Sequence, residues 1–529
     1  MNMKRLVSFV VVLLSALYFS VAVAGDSIPR TIRNKGLAPG LSQRIESYVI
    51  LKMEKKHSPG IALGIVQGDR LVYAGYFGYA DIEDGRPVTG DTMFRIGSIS
   101  KTFTAIGLMQ NWEQGKFKLD DDINQYFPEP MIFPPDPEGN PVTFRHLLTH
   151  TSGGGEFLSY KQAIMPGFGV MMKGDDYPAI AELLELGLHT RIEPGLKWAY
   201  CNYGFAFLGY ALENIAGEPF HIYQEKHVLE PLGMHKTSYH HNDEILADLS
   251  TGYKWREGKY IKDQHKPVAV TPAGSIYTNV PEMSEYVIAV LNGGKNKHGS
   301  VLQPATLAMM FETQYTLDER QAGWGLGFCV HSKDVWGHRV VGHSGSVPWG
   351  HTSNMLLCPD DRLGVYVFSN SGTYAPKDIG WGILKMILHG EDKPSQKITP
   401  DRDVWQDLVG LYGPEHREFK TSTRLYMSGI GAYKVAVIAD ELKLVYLWKG
   451  KKESKTLLQV SEADPYFYRI MNKGAVEPNY IAFKRDESGK AAYIIPGGLN
   501  EYKRLPPIRR IKVMLFAVPG RIISKVNPF

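Results

Sequence analysis

The stretch 94–106, Phe94-Arg95-Ile96-Gly97-Ser98-Ile99-Ser100-Lys101-Thr102-Phe103-Thr104-Ala105-Ile106, constrains this chain more than any other. Residues 102–109 are small or apolar nearly all round, the pattern of a helix packed on every side. Lys101 is the only charged residue between Arg95 and Glu113. A buried ammonium is costly unless it is paired or gives up its proton. Ser98 lies three residues earlier, on the same helical face. A hydroxyl beside an amine of lowered pKa is an activated nucleophile. A capping serine next to a snorkelling lysine would give the same four letters, so the tetrad needs support from the rest of the chain.

At 529 residues the chain exceeds the usual size of a single core, and two or three domains are expected. Apolar content of 43% and charged content of 22% are those of a globular protein. A net charge of +4 is too slight to argue for nucleic-acid binding. Residues 1–24 read as a secretory signal: Lys4 and Arg5, an apolar run, then Ala22-Val23-Ala24 before Gly25. The mature protein is therefore expected in the periplasm or outside the cell. Cys201, Cys329 and Cys358 have no ligand-like spacing, so neither a structural zinc nor another cofactor is expected.

Along the chain, residues 44–56 read as a helix, and 61–67 and 71–79 as strands joined by the Gly68-Asp69 turn. The proline-rich, acidic stretch 120–140 reads as a loop. His146 and His150 fall four apart on an expected short helix, and no third ligand accompanies them. The stretch 157–188, with Met165, Phe168, Met171 and Met172, reads as helical core bordering a cleft. Tyr200-Cys201-Asn202 precedes an apolar helix over 204–216, and another helix is expected over 281–291. Residues 327–331, 338–344, 352–357 and 364–369 have strand patterning. Strands from both ends of the first 390 residues thus share one antiparallel sheet flanked by helices, an α/β (α+β) architecture whose intervening helices form a second lobe.

Residues 393–400 form a polar linker, after which short strands with turn signals over 401–507 suggest a small all-β barrel. The tail 508–529 mixes basic and apolar residues. It could lie weakly on a membrane, although Pro519-Gly520 interrupts any long helix and favours a docked segment.

Three elements stand in order: Ser98-x-x-Lys101, Tyr200-x-Asn202 and His343-Ser344-Gly345. With the run Leu147-Leu148-Thr149-His150-Thr151-Ser152-Gly153 and Pro194-Gly195, they resemble the serine β-lactamase and penicillin-binding protein family. That family includes class C β-lactamases, DD-peptidases, D-aminopeptidases and related esterases. The resemblance covers about 42–390, and the later domain loosely resembles lipocalin-like barrels. It implies an acyl-enzyme on Ser98, with Lys101 and Tyr200 moving protons. Asn202 and His343 would meet the substrate, and the backbone N–H groups of Ser98 and Ser346 would hold the oxyanion. Gly345 would leave the strand edge open to substrate backbone.

Many relatives carry lysine where His343 stands. Histidine, charged only part of the time near neutral pH, holds a carboxylate less firmly. The expected substrate is therefore a small peptide, with a β-lactam or an ester as the alternative. A penicillin-binding sensor without turnover is the reading outside the enzymes.

Overall fold

The computed structural model describes residues 28–156, 158–159, 162, 170–172, 177–331, 335–348, 350–388, 401–413, 432–448, 451–471 and 479–505. The expected signal, the linker, the tail, and Met165 and Phe168 lie outside these residues.

The centre is a nine-stranded antiparallel sheet. Its strands are β1 (Arg30–Asn34), β2 (Gly60–Gln67), β3 (Arg70–Asp81), β4 (Arg86–Pro87), β5 (Gly323–Trp324), β6 (Cys329–Val330), β7 (Val341–Val347), β8 (His351–Cys358) and β9 (Leu363–Ser369). The order is β1-β3-β2-β9-β8-β7-β6-β5, with β4 on the end of β3. Gly68, at φ 66°, makes the tight turn between β2 and β3, where a side chain would be strained. The two ends of the domain meet where β9 pairs with β2, in the register Val365↔Ile65 and Val367↔Leu63.

Helices α1 (Pro39–Lys56) and α5 (Ala375–Ile387) cover one face of the sheet, with Ile45, Val49, Ile379 and Trp381 in their shared core. The other face packs on α2 (Ser100–Glu113) and α4 (Val280–Leu291), and beyond them on α3 (Asn202–Ala216). Residues 100–109 of α2 are all buried, as their composition requires. The Phe103 ring stacks on Tyr286 at 3.7 Å, and the Tyr286 hydroxyl donates to Thr102 at 2.7 Å. The expected loop over 120–140 holds a single 3₁₀ turn, Ile123–Tyr126, and a two-residue strand, Ile132–Phe133. Met171 and Met172 are buried, on the side of plain core.

A short helix α6 (Arg402–Leu408) leads into the second domain, a closed antiparallel barrel. Its eight strands are β10 (Gly410–Gly413), β11 (Ala432–Ile438), β12 (Glu441–Trp448), β13 (Lys451–Ser461), β14 (Asp464–Met471), β15 (Tyr480–Arg485), β16 (Ala491–Pro496) and β17 (Tyr502–Arg504). Closure comes from β10 pairing with β17, Tyr412↔Arg504. Of the span 401–507 read as short strands, residues 414–431, 449–450 and 472–478 lie outside the described residues. The barrel interior is packed with Trp405, Leu408, Tyr412, Tyr468, Phe483 and Ile494. An eight-stranded barrel is just wide enough for such a filling.

Candidate active site

Ser98 sits in a 3₁₀ turn, Gly97–Ile99, immediately before α2. At three residues per turn, positions i and i+3 eclipse, so Ser98 and Lys101 are stacked one above the other. From Thr92 to Met109, Ser98 is the only residue that is not buried. Gly97 has φ 54°, and a Cβ there would lie 2.8 Å from the backbone nitrogen of Ser346. The glycine therefore lets the Ser98 turn close onto β7.

Lys101 is fully buried, and its Nζ has three oxygen neighbours: Ser98 Oγ at 3.1 Å, Asn202 Oδ1 at 2.7 Å and the carbonyl of Ala273 at 2.6 Å. Burial disfavours the ammonium and brings its pKa down to about 7, against an opposing pull from Glu156. A neutral amine has two N–H groups and one lone pair. Asn202 Oδ1 and the Ala273 carbonyl can only accept, so they take the two N–H groups, and the lone pair is left facing the Ser98 hydroxyl.

Tyr200 completes the cluster. Its side chain lies beside that of Ser98, and Lys101 Nζ lies 4.9 Å from its ring centre. Burial raises the Tyr200 pKa far above its ordinary value, and the nearby Glu156 carboxylate adds to that. In the resting site Tyr200 is a neutral phenol.

Asn202 works with both ends. It accepts from Lys101 and donates through Nδ2 to Glu156 Oε2 at 2.9 Å. Burial raises the Glu156 pKa, opposed by the attraction of Lys101. Sequence reasoning missed Glu156. The available signal was an acidic side chain directly after three glycines in a turn with no other charge. The Ala273 carbonyl gave no signal, because any residue could supply it.

His146 and His150, expected four apart on one helix, do not share it. The helix ends at Leu148, and His150 lies beyond it at φ 58°. His146 Nδ1 accepts from the backbone of Thr143 in a capping box. His150 Nδ1 accepts from the backbone N–H of Cys201 at 3.2 Å, and its ring packs on Tyr200 at 4.2 Å. It anchors the Tyr200-Cys201-Asn202 loop. No cluster of side chains that could hold a metal occurs among the described residues.

On β7, His343 is buried and its Nδ1–H donates to the carbonyl of Ser344 at 2.6 Å. Desolvation, with Lys101 nearby, lowers its pKa to about 3, so the ring is neutral at any physiological pH. It supplies less positive charge than the sequence reading allowed. Gly345 has a different reason from the one expected. A Cβ there would meet the Ile96 carbonyl at 1.9 Å and Ser353 Oγ at 2.3 Å. The glycine faces the turn that carries Ser98, and Ser353 Oγ donates to the same carbonyl at 2.7 Å. The edge of β7 pairs with β6 only through Val341 and Gly342. From His343 onward it has no strand partner on that side among the described residues, and Ser346 is exposed.

The β-lactamase family profile matches residues 45–385, a span that holds every one of these side chains. The chain belongs to the β-lactamase family. Penicillin-binding protein 4* of Bacillus subtilis is 25% identical to it over 72% of this chain and 86% of that one. An octameric penicillin-binding protein homologue from Pyrococcus abyssi has a similar structure, with a TM-score of 0.57 and 25% identity over 87% of this chain and 99% of its own. EstCE1, described as a hydrolase with promiscuous acyltransferase activity, shares the fold of the first domain at a TM-score of 0.56 and 22% identity, covering 66% of this chain and 98% of its own. The protein is thus a β-lactamase-family serine hydrolase carrying an eight-stranded barrel.

Proposed function

We propose that this β-lactamase-family protein is an exported peptidase that cleaves amide bonds of small peptides through an acyl-enzyme on Ser98. The observation that carries the reading is the environment of Lys101. Its two carbonyl partners fix the neutral amine with its lone pair 3.1 Å from the Ser98 hydroxyl. Lys101 takes the Ser98 proton as Oγ attacks the substrate carbonyl. The developing oxyanion is received by the backbone N–H groups of Ser98 and Ser346, which the Gly97 turn brings together. The Tyr200 phenol passes a proton to the leaving amine and is refilled from the Lys101 ammonium. Water then attacks the ester, and the same groups run in reverse.

The neutrality of His343 supports peptides over β-lactams. At this strand position no fixed cation waits for the substrate carboxylate. Ester hydrolysis is the second reading, supported by the fold shared with EstCE1.

A fluorophosphonate probe followed by peptide mapping should place the label on Ser98. Turnover of peptide amides should exceed that of nitrocefin and of p-nitrophenyl acetate in kcat/KM. Labelling of another residue, or none, overturns the mechanism. A preference for nitrocefin or the ester moves the assignment to the corresponding branch. A burst of labelling without steady-state release would make the protein a sensor.

A further inference from the structure

A cavity of about 370 Å³ lies between the first domain and the barrel, with Tyr200 and His343 in its lining. Trp198, Trp324 and Trp381 line one side. The barrel supplies the other, through Asn479 and Tyr480 at the start of β15 and Gly497 and Leu499 after β16.

The barrel is fixed in this position by its own turn. Gly498, at φ 91°, is pressed so closely against the first domain that a Cβ would lie 2.1 Å from the Ala322 carbonyl. The Leu317 backbone N–H donates to the Gly498 carbonyl at 2.9 Å. Arg320 pairs with Asp464 of the barrel and lies 4.1 Å over the Phe467 ring. The docked segment runs directly into Trp324, so the barrel and the aromatic wall are set as one piece.

The chemistry of this wall is unusual. The indole N–H groups of Trp198, Trp324 and Trp381 are buried without a hydrogen-bond partner. Such atoms are rare in finished protein interiors. His343 gives its Nδ1 proton to Ser344, so Nε2 of the neutral ring is a bare acceptor, and it too is buried and unpartnered. Among the described residues no carboxylate lines the cavity, and Lys377 is the fixed cation there. Three donors on flat aromatic faces and one acceptor, with no negative charge among the described lining residues, fit planar groups rich in carbonyl oxygen. They do not fit an ammonium.

We propose that this cavity is a substrate subsite built jointly by the two domains, and that it takes the backbone amides of a peptide beyond the scissile carbonyl. Peptide carbonyls accept from the indoles, and one peptide N–H donates to His343 Nε2. The barrel turn at Leu499 limits how much chain enters. This deepens the peptidase reading and rests on it, but binding is separable from the chemistry.

Calorimetric titration of the full-length Ser98→Ala protein with an N-acetylated alanine tripeptide amide, in L and D forms, tests it. One hand or both should bind. Leu499→Trp, which fills the space, should weaken binding at least tenfold with an unchanged melting temperature. Trp324→Phe, which keeps a ring and removes the N–H, should weaken it about fivefold. Replacing the central alanine of the ligand by lysine should weaken it further. No binding of either hand, or equal affinity in Leu499→Trp and the parent, overturns the subsite. If p-nitrophenyl acetate acylates Ser98 in the native protein while no tripeptide binds, the subsite fails and the nucleophile stands. If tripeptide binds in a Leu499-dependent way and Ser98 never acylates, the reverse holds.

Discussion

The floor of the cleft and its barrel-facing wall are built on opposite principles. On the floor, Lys101 has three oxygen neighbours, and Asn202 uses both ends of its amide. Along the wall, three indole N–H groups and His343 Nε2 are buried without partners. A satisfied network in a low-dielectric setting is rigid and holds reacting groups in place before substrate arrives. An unsatisfied wall is incomplete by itself and becomes complete when a ligand supplies the missing groups. The floor is suited to chemistry, and the wall to recognition.

The largest effect is expected on the floor. Lys101→Met should slow acylation of Ser98 by roughly 10²–10⁴-fold, the range for loss of a positioned base. Lys101→Arg should do no better, because a guanidinium does not give up its proton. Stopped-flow acylation with an activated ester measures both. A Met variant near the parental rate would remove the distinction between floor and wall.

The next effect tests how tightly the floor is braced. Gly345→Ala forces a methyl to 1.9 Å from the Ile96 carbonyl. It should cost about 1–3 kcal/mol, typical of overpacking. The denaturant midpoint reports the stability loss, and slower acylation should accompany it because the displaced carbonyl belongs to the Ser98 turn.

The pH dependence sharpens the picture of Lys101. kcat/KM should rise from acid to neutral pH with a midpoint near 7, as the amine loses its proton. Glu156→Gln removes a carboxylate that favours the ammonium, so the midpoint should move to lower pH. The same group affects stability. Its pKa is 10.5 when exposed and about 7 when folded, so between these values the unfolded chain binds more protons. The contribution of Lys101 to folding stability therefore rises as pH rises through that window, and below it the full cost of burying the charge is present. A midpoint unaffected by Glu156→Gln would show that the two groups are not coupled.

The smallest effect belongs to the wall. Trp381→Phe removes a single N–H and should weaken tripeptide binding about fivefold, one neutral hydrogen bond, with the acylation rate of a small ester preserved. A large loss of acylation instead would mean that the wall is part of the floor.

Much of the floor was legible in the chain. A lone lysine in an apolar helix is an anomaly of local pattern, and so is a serine one 3₁₀ turn before it. Glu156 escaped because a glutamate after Gly153-Gly154-Gly155 looks like ordinary solvated loop, and only its burial reveals it. Which of Tyr200 and Lys101 takes the first proton was open in the chain, because the sign of the Tyr200 pKa shift depends on desolvation, which no spacing reports. His146 and His150 part for a local reason: the helix expected to carry both ends at Leu148, two residues before His150.

By itself, the sequence determined most of the sheet and barrel strands, the buried α2, and the set Ser98, Lys101, Tyr200 and Asn202 that the fold brings together, because periodicity and misplaced polar residues are written locally. Only the tertiary structure decided the protonation of Lys101, Tyr200 and His343, the facing of Gly345, and the joint wall with the barrel. Those depend on how much water is removed and on which distant backbones meet, quantities set by packing across hundreds of residues.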